Sequence, residues 1–137
     1  MIPYRHRVNY YETDKMGVTH HANYIHWMEE ARIDFLDQLG WPYDKQEELG
    51  VVSPVIAVEC RYKAPTTFND RVDVTVSVQE YRCPKLVVAY EMRKEDGTLV
   101  LTGTSSHCFM DREGKFLRLA RDFPAFDQAL REQAENN

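Results

Sequence analysis

The chain has 137 residues, 43% of them apolar and 12% aromatic, which is material for one globular domain with a single core and argues against disorder. A net charge of −5 weighs against nucleic-acid binding as the main task, and three widely spaced cysteines with no C-x-x-C pair weigh against a disulfide framework. No apolar run approaches the roughly twenty residues that a bilayer span needs, and residues 1–7 lack the apolar core of a signal peptide, so a soluble cytoplasmic protein is expected.

Residues 4–11, rich in Tyr, Val and Arg, predict a short strand. A loop with Asp14, Gly17, His20 and His21 follows. From 24 to 39, Tyr24, Met28, Ala31, Phe35 and Leu39 recur at steps of three and four, with Glu29, Glu30, Asp34 and Asp37 mostly elsewhere on the wheel. That spacing predicts an amphipathic helix, stopped by Gly40 and Pro42. Residues 43–49 read as a short helix or irregular turn ending at Gly50. Strands are expected at 52–63, with Val58, Cys60 and Tyr62 on one face, and at 71–81, where Val72, Val74, Val76 and Val78 alternate. Two more follow at 86–94 and 99–110, joined as a hairpin by Glu95-Asp96-Gly97. After a turn at 111–114, residues 115–119 read as a last short edge strand, and Pro124 opens a helix to about residue 134. One long helix and a run of antiparallel strands predict an α+β fold with the sheet curled around the helix. No repeat or linker is visible, so a single domain over 1–137 is expected. A single-layer sheet leaves its outer face needing cover, which predicts a dimer or larger assembly.

Asp14 is the leading candidate for chemistry. An aspartate in a turn ordinarily bonds its own backbone or caps a helix. Here Gly17 lets the chain turn sharply toward an apolar helix, whose first amides are unpaired and carry partial positive charge. If the loop folds back onto that helix end, Asp14 can act as base or nucleophile while the amides polarise a carbonyl. His20, His21, His26, Glu29 and Glu30 are the possible metal ligands. Adjacent histidines on an extended chain point to opposite faces, however, and neither H-E-x-x-H nor H-x-x-E-H is present. A histidine that orients the loop by hydrogen bonding is the preferred reading, and no metal or other cofactor is expected. There is no G-x-S-x-G, no recognisable cysteine nucleophile motif and no phosphate-binding glycine loop.

The run Tyr10-x-Glu12-Thr13-Asp14-x-x-Gly17-Val18-x-x-His21-x-Asn23-Tyr24, followed by Trp27-Met28-Glu29-x-Ala31-Arg32, resembles the signature of hotdog-fold acyl-CoA thioesterases. The family is the 4-hydroxybenzoyl-CoA thioesterase-like one, including its Tol-Pal-associated branch. The likeness continues through Tyr62-Lys63-Ala64-Pro65 and Thr104-Ser105-Ser106-His107-Cys108-Phe109-Met110-Asp111, so it spans residues 4 to 118 or thereabouts. The resemblance implies a hotdog fold, an antiparallel sheet wrapped around one long central helix. It also implies sheets joined edge to edge in a dimer, often two dimers in a tetramer, active sites between subunits, and no metal. It matches Asp14 to the family's catalytic acid, Tyr10 and His21 to functionally important residues, and the backbone N–H near His21 to the group that polarises the thioester carbonyl. Asp14 would then activate water, or attack to give a mixed anhydride that water opens, with Tyr10 and His21 positioning it or the attacked water. The phosphates of CoA call for a basic lip. Arg82 and Lys85 are candidates for it, as are Arg61 and Lys63 on one strand face; Cys83 and Pro84 depart from the family pattern, in which those positions can be basic. The expected function is acyl-CoA thioester hydrolysis. The alternatives are a noncatalytic acyl-CoA or acyl-carrier binding module, and a hotdog hydratase or dehydratase that leaves the thioester intact.

Overall fold

In the computed structural model, which describes residues 1–136, the apolar stripe of the 24–39 segment forms helix α1, Asn23–Leu39. Tyr24, Trp27, Met28, Ala31, Phe35 and Leu36 are buried along it, and Glu29, Glu30 and Asp37 are exposed. Steps of three and four keep the apolar set on one side of the helix. The helix ends in a Schellman motif: Gly40 N–H bonds to Asp37 O at 3.1 Å and Trp41 N–H to Leu36 O at 2.9 Å. Gly40 takes a φ of +89°, which a side chain would oppose. Pro42 then caps a short helix, α2, Tyr43–Glu48.

The strands are β1 (Tyr4–Arg7), β2 (Val55–Tyr62), β3 (Arg71–Arg82), β4 (Lys85–Lys94) and β5 (Leu99–Cys108). They form one antiparallel sheet in the order β1-β3-β4-β5-β2, and helices α3 (Leu119–Asp122) and α4 (Pro124–Glu135) close the chain. This is the expected α+β fold. The β4–β5 turn is the expected hairpin: Gly97 has a φ of +90°, and Thr98 N–H donates to Asp96 Oδ1 at 2.9 Å. No helix among the described residues is long and apolar enough to cross a membrane.

The chain gathers into two compact units. The first comprises Met1–Phe35, Cys60–Val76 and Tyr90–Gly103. Within it β1 pairs antiparallel with β3, His6 opposite Val72, and Val8, Val72, Val74, Met92, Val100 and Leu101 are buried. The second comprises Leu36–Glu59, Ser77–Ala89 and the chain from Thr104 onward. There Trp41 stacks on Phe126 with ring centroids 4.7 Å apart, and Phe109 meets Phe126 edge-on at 5.5 Å. Tyr81 donates to Asp127 Oδ1 at 2.6 Å; burial first, and that carboxylate second, hold the phenol well above its ordinary range.

Three sequence-based expectations are corrected. The first strand stops at Arg7, because Asn9 N–H turns to the Glu12 side chain at 2.7 Å and residues Tyr10–Glu12 form a 3-10 turn. Residues 115–119 form no strand. Phe116 makes only an isolated bridge to Met110, and the chain turns helical at Leu119, whose side chain is fully buried. β2 begins at Val55, after Pro54, and not at 52, and in it Cys60 alone is half-buried while the other seven residues are exposed. Its place at the edge of the sheet accounts for that exposure.

Phe126 fills the space between Trp41 and Phe109, so Phe126→Ala should cost about 3–5 kcal/mol. Urea unfolding with an unchanged m-value checks it.

Candidate active site

Glu12 is 4% exposed, yet it carries a carboxylate. Four N–H groups converge on it. Oε1 accepts from Asn9 N at 2.7 Å and Asn9 Nδ2 at 3.2 Å, and lies 2.8 Å from His6 Nε2; Oε2 accepts from Trp27 Nε1 at 2.6 Å. A carboxylate only accepts, so it selects the Nε2-protonated form of the His6 ring, which also packs on Trp27 at 4.4 Å. Burial alone pushes the Glu12 carboxyl up. The bonds from Asn9, Trp27 and His6 outweigh it and hold the group below the ordinary glutamate value.

The backbone of Glu12 is engaged as well. Its carbonyl accepts from His20 N at 2.8 Å and from Asn23 Nδ2 at 2.9 Å. Thr13 then pairs with Thr19, and Asp14 N–H donates to Val18 O at 2.9 Å, closing a small loop at Gly17, whose φ is +79°. Thr67 Oγ1 ties the tip through Gly17 O at 2.7 Å. Asp14 is half-buried, and its Oδ1 accepts Met16 N–H at 2.8 Å. This is the local backbone bond that turn aspartates favour. Among the described residues Oδ2 takes no hydrogen bond.

The amides leading into α1 are almost all satisfied. His20 N–H goes to Glu12 O, Ala22 N–H to His20 Nδ1, Asn23 N–H to His20 O, Tyr24 N–H to His21 O and Ile25 N–H to Ala22 O. The His21 N–H, in their midst, has no acceptor among the described residues. Tyr62 OH donates to the His21 carbonyl at 3.3 Å and so fixes the next peptide plane. Burial, and then the neighbouring Cys60, hold the Tyr62 phenol above its usual range, which keeps it a donor.

His21 lines an open cleft of about 310 Å³ together with Thr19, Tyr24, Tyr62, Lys63, Ala64 and Pro65. Beneath it Thr66, fully buried, joins Thr19 Oγ1 at 2.6 Å and Tyr24 OH at 2.9 Å. Of the residues singled out from sequence, His21 and Lys63 meet at this cleft, and Asp14 sits on the loop attached to its α1 end. Tyr10 does not line it. That side chain is 76% exposed and packs edge-on to Phe68 at 5.7 Å. Arg82 and Lys85 belong to the second unit and are exposed; Lys85 Nζ lies 3.7 Å from Glu80. Among the described residues no three His, Cys, Asp or Glu side chains gather where they could hold a metal ion. Sequence reasoning missed Glu12, Trp27 and Tyr62 as parts of the site. Their spacing follows no local rule, and only the buried acid inside the motif could have pointed to them.

A sheet of this order with a long helix, and a tight loop folded against that helix's first turn, define the hotdog class of thioesterase-like proteins. The chain belongs to the Thioesterase-like superfamily, whose family model matches residues 8–134. It is 36% identical over 123 residues, 89% of each chain, to the Bacillus subtilis (strain 168) protein named "Putative acyl-CoA thioesterase YneP". It superposes on the crystal structure of DHNA-CoA thioesterase from Staphylococcus aureus with a TM-score of 0.92 and 36% identity, covering 99% of this chain and 93% of that one.

Because the folded Glu12 carboxyl is held low, its stabilisation is fully present above the unfolded value and is lost as pH falls through the folded one. Glu12→Gln puts an NH₂ among four donors and should cost about 2 kcal/mol at pH 7. Denaturant titrations of both proteins should show that gap narrowing below about pH 4.

Proposed function

We propose that this chain is an acyl-CoA thioesterase, hydrolysing a thioester to a carboxylic acid and free CoA. The observation that carries the reading is the unmatched His21 N–H at the start of α1, in a residue that lines an open cleft. An amide without an acceptor, at the positive end of a 17-residue helix, is suited to a carbonyl oxygen that gains charge as it is attacked. The names of both relatives, which refer to CoA thioesters, support the same chemistry.

In this reading the thioester carbonyl accepts from His21 N–H, and Tyr62 holds the peptide plane that follows it through the His21 carbonyl. Asp14 supplies the base or nucleophile through Oδ2, the oxygen that its bond to Met16 leaves available. In one route Asp14 takes a proton from water as it adds to the carbonyl carbon, and the resulting intermediate expels the sulfur as the C–S bond breaks. In the other Asp14 attacks the carbonyl carbon, the C–S bond breaks as the anhydride forms, and water then opens the anhydride. In both, the sulfur takes a proton and leaves as the CoA thiol. Tyr10 and the His21 side chain orient Asp14 or the water. Lys63 on the cleft wall, and separately Arg82 and Lys85, are the side chains proposed to contact the phosphates of CoA. We also read the protein as cytoplasmic and as a dimer, or a tetramer built of two dimers, with sites between subunits. Val55, Ile56 and Val58 on the open edge strand β2 are 49%, 60% and 40% exposed, which supports pairing with a second copy.

Thiol release measured over short, medium, long and aromatic acyl-CoAs tests the reading. Cleavage supports it; binding without cleavage, or a changed acyl group with the thioester intact, would replace it with one of the two alternatives. Asp14→Asn should keep the fold and lose ~10²–10⁴-fold in kcat; near-normal turnover would remove Asp14 from the mechanism. Exchanging Lys63, Arg82 or Lys85 for Glu should raise KM more than it lowers kcat, and the opposite split would reject phosphate contact there.

A further inference from the structure

We propose that Glu12 is a positioning residue for the reaction: it clamps the Asp14 loop to the first turn of α1 and thereby sets the acid against the His21 N–H. Glu12 has this role only within the thioester-cleaving reading given above.

The clamp has two points on the helix. Asn23 and Trp27 stand four residues apart and therefore share one face of α1. Glu12 binds both, Asn23 through its main-chain oxygen at 2.9 Å and Trp27 through Oε2 at 2.6 Å. A single bond would let the loop pivot about it. Two bonds a helical turn apart fix its direction. On the opposite side His6 of β1 and Asn9 hold the other carboxylate oxygen, so the side chain is gripped from strand, turn and helix at once.

Both reacting groups hang from this residue at short range. Going forward, one residue separates Glu12 from Asp14, and Thr13 is itself paired with Thr19. On the return, His20 N–H bonds to Glu12 O, and His21 is next in the chain. Asp14 and His21 N–H thus take their places from one buried group. That group needs to be a carboxylate: four N–H donors face it, and an amide in either orientation would turn its own donors on some of them. A displacement of about 1 Å at such a support is enough to cost on the order of 10²-fold in rate.

The test is a double-mutant cycle on thiol release with wild type, Glu12→Gln, Asp14→Asn and the double variant, assayed well below the melting temperature of each. Glu12→Gln should lower kcat about 10- to 100-fold with KM within about threefold, and should cost nothing further in the Asp14→Asn background. Asn23→Ala removes one helix bond and keeps the buried carboxylate, so it carries the same test should Glu12→Gln fail to fold, with a loss of about 3- to 10-fold. A merely structural Glu12 would lower stability and leave the kcat of folded enzyme unchanged. A kcat within about twofold of wild type in folded variants, or an equal fall in both backgrounds, overturns the proposal. Amide exchange decides independently of turnover. Asp14 and His20 N–H should exchange at least about tenfold faster in the variants, and unchanged exchange overturns the clamp. Wild type that releases no thiol from any acyl-CoA would instead sink the function reading.

Discussion

A buried carboxylate surrounded by four N–H groups is the constraint on which the site depends. Removing Glu12 from water costs several kcal/mol unless donors replace its hydration, and here they come from His6 of β1, from Asn9 just before the 3-10 turn and from Trp27 of α1. The low carboxyl pKa is the electrostatic counterpart of that arrangement. A network satisfied in only one geometry gives the loop one place to sit, and that is worth more to a reactive site than its net stability.

The rest of the first unit serves the same end. Trp27 is wholly buried on the apolar stripe of α1, so its indole N–H is held rigidly where Glu12 meets it. Thr66 links Thr19 on the returning arm of the loop to Tyr24 on the helix, a second tie between the two beneath the cleft. Tyr62 arrives from β2 to fix the His21 carbonyl. Each amide around His21 finds an acceptor, and the one that does not is where a developing oxyanion would be stabilised most.

Much of this fold was legible from the sequence because its signals are periodic. Tyr24, Met28, Ala31 and Phe35 announce α1, the alternating valines announce β3, and Asp96-Gly97 announces the β4–β5 hairpin. The errors fall where periodicity says nothing of context. Alternation in β2 cannot tell that all its residues but Cys60 stay exposed, and Lys115-Phe116-Leu117 reads as extended although the burial of Leu119 draws the chain into a helical turn. Asp14 was singled out by its place in a motif. Glu12, two residues away, was passed over because a glutamate in a loop is ordinarily solvated, and its burial depends on Trp27 and His6. The backbone N–H near His21 was named through the resemblance; that it is left unmatched depends on where each neighbouring amide finds its acceptor, which no sequence pattern shows.

The account turns on whether a thioester carbonyl seats against the start of α1. A crystal structure of the complex with an acyl-CoA ketone analogue, a methylene in place of sulfur, measures this directly. The carbonyl oxygen should lie about 3 Å from His21 N, with the free Asp14 oxygen facing the carbonyl carbon or a water beside it. A carbonyl seated away from that helix end, or Asp14 turned out to solvent in the complex, would contradict the account.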